Sequence, residues 1–147
     1  MTKLNIAILS YRSAPFGGGQ GVYIHDISKA LSIMGHKVDV ISGPPYPNLS
    51  EEVNLIQLPG LDLFQTFSFK ERIKIFWKKE KKNFSDIYEF ISVLFGGFPE
   101  MRTFGYRARD YLILNKHYDI VIDNQSISYG MIDLQKIFPF IEIIHHP

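Results

Sequence analysis

Leu4-Asn5-Ile6-Ala7-Ile8-Leu9-Ser10, Pro15-Phe16-Gly17-Gly18-Gly19-Gln20-Gly21 and Val38-Asp39-Val40-Ile41-Ser42 decide the fold between them. The first and last are apolar nearly throughout instead of alternating, which is the pattern of parallel strands buried on both faces. The middle stretch is too rich in glycine for regular structure. Between it and Gly35-His36, the residues Tyr23, Ile24, Ile27, Ala30, Leu31 and Met34 recur at helical spacing. Gly35 stands where a helix ends on a left-handed residue. The order is therefore strand, glycine loop, helix, tight turn, strand, a unit that implies a parallel sheet.

A glycine loop that opens a helix gathers free backbone N–H groups and the positive end of the helix dipole, which suits a phosphate. The same glycines also serve a plain tight turn. The loop fits neither common phosphate motif. A P-loop needs Lys-Ser/Thr after its last glycine, where this chain has Val22-Tyr23. A dinucleotide fingerprint needs a third glycine at Val22 and an acid ending the second strand, which here ends Ile41-Ser42-Gly43. NAD binding is not expected. Ser10-Tyr11-Arg12 after the first strand likewise lacks the acids of a phosphorelay receiver.

Further along, Gly43-Pro44-Pro45-Tyr46-Pro47 is irregular and Val53 to Leu58 reads as a third strand. Lys70 to Lys82 carries seven cations against two anions, with Ile73, Phe76 and Trp77 as an apolar stripe. Asp86 to Phe95 continues as a helix through Ile87, Phe90, Ile91 and Leu94, and Glu100 to Lys116 reads as another. Tyr118 to Asp123 and Phe140 to Ile144 are strands, with a short helix between them ending near Lys136. The alternation of strands and helices predicts an α/β fold with an open, doubly wound, mostly parallel sheet.

Composition bounds the function. At 147 residues, 46% apolar and 21% charged, the chain has room for one domain with its own core. A net charge of +1 argues against nucleic acid as a partner, and the absence of cysteine excludes thiolate chemistry. No apolar run is long enough to span a membrane, the N-terminus predicts no secretory signal, and a cytoplasmic setting is expected.

Strand ends at the carboxyl edge of such a sheet converge on one crevice. Tyr11, the glycine loop, Asp123-Asn124-Gln125 and His145-His146 all fall there. At most one of the two histidines should face a cleft, since neighbours on a strand point oppositely. Ordinary loop histidines are the competing reading. The basic segment is either a solvated helix face or, through Lys74, Trp77, Lys78, Lys79, Lys81 and Lys82, a contact with an anionic membrane surface.

Gly17 to Ile24, the block Leu31 to Ser42, Tyr118 to Ser126 and Ile143-Ile144-His145-His146-Pro147 together resemble the N-terminal domain of glycosyltransferase family 4 enzymes with the two-domain GT-B fold. Residues 44–98 are the least recognisable part. The resemblance implies a Rossmann-like acceptor-side domain, spanning 1–147 and incomplete at its C-terminal end, whose donor-binding partner domain is not in this sequence. It implies a nucleotide-sugar donor as substrate, no cofactor and no metal, and retention at the anomeric carbon. Gly17, Gly18 and Gly19 would meet the donor diphosphate, and His145 would stand beside the transferred sugar. Tyr11, Asp123, Asn124 and Gln125 would line the acceptor or sugar cleft. The acceptor would be a glycan or a lipid-linked molecule, reached from the inner face of a membrane. The expectation is the N-terminal part of a hexosyltransferase, inactive without a separate C-terminal GT-B domain. The alternative is a non-catalytic binding or membrane-adaptor module on the same fold.

Overall fold

A computed structural model of the chain describes residues 2–15, 19–63, 66–124 and 130–143. Five strands form one all-parallel sheet: β1 (Asn5–Ser10), β2 (Lys37–Ser42), β3 (Asn54–Gln57), β4 (Ile120–Asn124) and β5 (Phe140–Ile143). Their order across the sheet is β3-β2-β1-β4-β5. The strand order reverses beside β1, so the switch point lies between β1 and β4, where Leu9 pairs with Asp123. Five helices are described: α1 (Gly19–Ile33), α2 (Phe69–Lys78), α3 (Phe84–Leu94), α4 (Glu100–Leu114) and α5 (Gly130–Gln135).

The strands alternate, and each face carries its own core. Ile6, Ile8, Val38, Val40 and Ile122 pack with Ile24 of α1 on one side. Ala7, Leu9, Ile41 and Val121 pack with Phe104, Ala108 and Leu112 of α4 and Met131 and Leu134 of α5 on the other. The sheet is doubly wound, with β1 and β2 buried almost completely, as their mostly apolar runs require.

Helix α1 starts at Gly19, before its apolar pattern begins at Tyr23, and its buried line is Gly21, Ile24 and Ser28. Ala30 and Met34, expected inside, are exposed, while Ser28 is buried and its Oγ donates to the His25 carbonyl at 3.1 Å. The helix ends at Gly35, whose φ of +92° only glycine adopts easily, and the His36 N–H closes the turn on the Leu31 carbonyl. At the amino edge of the sheet, buried Asp39 accepts a 2.7 Å hydrogen bond from the Tyr118 hydroxyl. Burial first, and that bond second, push the Tyr118 phenol well above its ordinary range.

The segment between β3 and α4 departs most from its pattern. Helix α2 lays Ile75 and Phe76, not Trp77, against a small core of Leu61, Leu63 and Val93, and the Phe76 ring stacks on Phe90 with centroids 4.3 Å apart. Trp77 is 72% exposed. Helix α3 turns Asp86, Glu89 and Val93 inward and leaves Ile87 and Ile91 largely in solvent. The reason is electrostatic. The Arg107 guanidinium of α4 bridges the two carboxylates, 2.9 Å from Asp86 Oδ1 and 2.6 Å from Glu89 Oε1. Lys79 adds a 2.6 Å contact to Asp86, Thr103 donates to Glu89, and the Leu61 N–H donates to Glu89 Oε2 at 3.1 Å. Buried carboxylates are tolerated only with such partners, and these partners fix the helix rotation.

No helix among the described residues is long and apolar enough to cross a membrane.

Candidate functional site

The carboxyl ends of β1, β2 and β4 carry polar residues that are buried: Ser10, Ser42, Asp123 and Asn124. Three of them are occupied. The Ser10 hydroxyl bonds Ser13, the Ser42 hydroxyl donates to the Gly43 carbonyl at 2.9 Å, and Asp123 has an interaction partner. Asn124 is different. It is 1% exposed, and neither its Oδ1 nor its Nδ2 has a hydrogen-bond partner among the described residues. A buried amide without partners costs about 1–3 kcal/mol per unsatisfied group, so such a group calls for a ligand or a water.

Position supports that reading. Asn124 follows Asp123, the partner of Leu9, so it lies at the switch point beside the end of β1. Strand alternation puts its side chain on the α1 face with Ile122 and turns Asp123 to the α4–α5 face. The two residues therefore serve opposite sides of the sheet. The start of α1 stands above the same edge.

Glycines bring these loops together. A Cβ on Gly21 would overlap the Ala14 carbonyl oxygen, so the chain before α1 folds back against the helix only because Gly21 has no side chain. A Cβ on Gly43 would stand 2.6 Å from the Tyr11 carbonyl oxygen. A Cβ on Gly19 would meet no atom of the described residues within 4 Å. The Ser13 N–H donates to the Pro45 carbonyl at 3.0 Å and the Gly43 N–H to the Ser10 carbonyl at 3.1 Å, so the loops after β1 and β2 are knitted by backbone.

Over β1, β2 and β3 the edge carries a small crevice of about 20 Å³, open to solvent and with room for about one water. Tyr11, Gly60, Asp62, Glu89, Glu100 and Arg107 are among its lining residues. Asp62 is held at φ +49°, and its buried Oδ1 has no hydrogen-bond partner among the described residues. Tyr46 lies close enough that burial, then the Asp62 charge, raise its phenol above the ordinary value. Arg12 pairs with Glu100 at 3.2 Å across the mouth.

Of the residues singled out from the sequence, Tyr11, Gly19, Asp123 and Asn124 are described and lie at this edge. Gly17, Gly18, Gln125 and His145 lie outside the described residues. Of the residues expected to touch a membrane, Lys74, Trp77, Lys78 and Lys81 are exposed. Lys79 is engaged by Asp86, and Lys82 donates to the Lys79 carbonyl while its Nζ sits 5.3 Å from the Phe76 ring centroid. Arg12, Asp62, Glu100 and Arg107 were missed. Arg107 did have a signal, a cation inside the apolar stripe of α4 between Phe104 and Ala108.

No family model matches the chain. Over 147 aligned residues, 98% of the chain, it is 39% identical to the MMP alpha-(1->4)-mannosyltransferase of Mycolicibacterium hassiacum. The alignment covers 35% of that protein, so the chain spans about a third of the length of the curated relative it matches.

Proposed function

We propose that the chain is the acceptor-side domain of a two-domain, GT-B glycosyltransferase of family 4, which transfers mannose from a nucleotide-sugar to a glycoside acceptor with retention. The observation that carries this reading is Asn124, a buried amide without hydrogen-bond partners among the described residues, at the β1–β4 switch point beside the glycine-opened helix α1. The amide can donate to one sugar hydroxyl and accept from another. The N–H groups of Gly17, Gly18 and Gly19 at the helix opening stabilise the departing diphosphate, which takes the bonding pair as the anomeric C–O bond breaks. Gln125 and His145, outside the described residues, take the roles that the resemblance implies, in the cleft and toward the transferred sugar. The similarity to a mannosyltransferase supports the reaction class.

The test combines this chain with the remainder of the Mycolicibacterium hassiacum relative, nucleotide-activated mannose and an α-mannoside. Transfer is expected from the pair and not from the 147-residue chain alone. Asn124→Ala should lower kcat/KM at least tenfold without lowering Tm. Turnover by the chain alone would refute the half-enzyme reading, and unchanged turnover in the variant would remove Asn124 from the site.

A second reading, a membrane-adaptor surface, is favoured by one group of residues. Lys70, Lys74, Lys78 and Lys81 are exposed beside the outward rings of Phe69, Trp77 and Phe84. Such a surface should co-sediment with anionic vesicles at low salt. Lys74→Glu, Lys78→Glu and Lys81→Glu together should abolish this, and sedimentation that survives them would sink the idea. Lys79 is excluded from the set because its ion pair holds α3.

A further inference from the structure

A pocket of about 270 Å³, open to solvent, lies between α2, α3 and the turn before α4. Leu63, Phe67, Val93, Gly97, Phe98 and Pro99 line it, so its wall is largely hydrocarbon. Leu63 and Val93 are buried, while the rings of Phe67 and Phe98 stand out into solvent. An apolar cavity of about 150 Å³ takes a benzene ring, and in proportion this pocket takes about ten non-hydrogen atoms.

One unpaired cation stands in that wall, Arg72. Its Nε donates to the Thr66 carbonyl at 2.6 Å and its Nη1 to the Val93 carbonyl at 3.3 Å, and these bonds fix the guanidinium in place. Nη2 has no hydrogen-bond partner among the described residues, and it is not shut off from solvent. No carboxylate among the described residues pairs with Arg72. The one acid of the wall, Glu100, is held by Arg12 at 3.2 Å, so that pair is neutral and the charge of Arg72 is left over. The lysines of α2 do not line the pocket. A guanidinium with a spare donor beside hydrocarbon favours a ligand that joins an anion to an apolar body. A neutral polar ligand would lose water there without meeting an opposite charge, and a cation would be repelled. A phosphate alone leaves the hydrocarbon wall unused, and a two-chain lipid is too large.

We infer that this pocket binds a free single-chain carboxylate of about eight carbons, with its tail against Leu63, Val93 and Phe98 and its carboxylate on Arg72 Nη2. Neither Asn124 nor the opening of α1 takes part, so the site does not depend on the transferase reading. The probes are octanoate, butanoate and octan-1-ol, titrated as monomers into isotope-labelled chain at about 0.15 M salt with amide shifts as readout. Octanoate should bind at least tenfold tighter than butanoate, through its longer tail, and at least fivefold tighter than octan-1-ol, through its charge. The amides of Gly96, Gly97 and Phe98 should shift. Arg72→Gln should bring octanoate down to the affinity of octan-1-ol, and Arg72→Lys, which restores the charge, should recover part of the difference. Arg72 also bonds two carbonyls, so if neither variant folds, the three probes on the unaltered chain decide. Equal affinity for octanoate and butanoate, or for octanoate and octan-1-ol, would overturn the inference. Binding of none of the three would do the same, as would an octanoate preference that survives Arg72→Gln. If phosphatidylglycerol vesicles shift these amides and octanoate does not, Arg72 belongs to a membrane contact and the inference falls.

Discussion

Arg107 on α4 meets Glu89 on α3 at 2.6 Å in a contact from which water is nearly excluded. The Arg107 side chain is 12% exposed and that of Glu89 3%. Removing one member of a buried pair leaves the other charged and unpaired, which costs about 3–5 kcal/mol. Arg107→Ala, which also takes one cation from Asp86 while Lys79 stays, is expected within that range by urea denaturation. Amide exchange in α3 should rise more than in β1 or β2. Uniform exchange across both regions would mean that the pair does not hold α3 in particular.

Gly21 and Gly19 offer a paired test of the loop. Gly21→Ala drives a methyl group into the Ala14 carbonyl and should destabilise the chain by about 1–3 kcal/mol. Gly19→Ala, with open space around it at the start of α1, should be neutral or stabilising by up to about 1 kcal/mol. Thermal or urea unfolding of the two variants checks the order, and equal effects would deny the close approach at Ala14.

Asn124→Ala carries a sign opposite to most buried substitutions. It removes an amide that has no partner among the described residues, so the free chain should gain about 1 kcal/mol in urea denaturation. The same variant is the one expected to lose turnover. A loss of stability would mean that Asn124 is bonded within the folded chain and is not held for a ligand.

Tyr118 gives an alkaline prediction. Its folded-state pKa is raised by burial and by the bond to Asp39, so the folded protein keeps a proton that the unfolded chain releases above about pH 10. The stabilisation is fully present below that pH and is lost as pH rises toward the folded value, by up to about 1.4 kcal/mol per pH unit. Tyr118→Phe should flatten this alkaline slope in stability-against-pH measurements. It should also cost about 1–3 kcal/mol at neutral pH, because Asp39 loses a donor. A slope unchanged by the substitution would place the titration elsewhere.

The sheet was readable from the sequence because its physics is local and repetitive. The apolar run Ile6–Leu9 and the stretch Val38–Ile41, apolar but for Asp39, need cover on both faces, and Gly35 needs a left-handed turn. The segment from Leu61 to Pro99 was not readable in the same way. Ile87 and Ile91 look like a core stripe, yet Asp86 and Glu89 took the inward face because a cation twenty residues away was waiting for them. Periodicity registers hydrophobicity, and it cannot register a partner that arrives only when the chain folds. At the candidate site, strand ends could be assigned to one edge from order alone. That Asp123 and Asn124 turn to opposite faces followed from alternation, but the loneliness of Asn124 is a property of its surroundings.

The ion-paired seat of α3 has a consequence for how this molecule can vary. A helix held by packed hydrocarbon constrains every residue of its inner stripe. This one is positioned by two carboxylates and a guanidinium, with a small apolar patch at Val93. Its pose is set by a few directional bonds, so the remaining surface of the α2–α3 hairpin can be rewritten in shape and polarity while the frame keeps its alignment to the sheet.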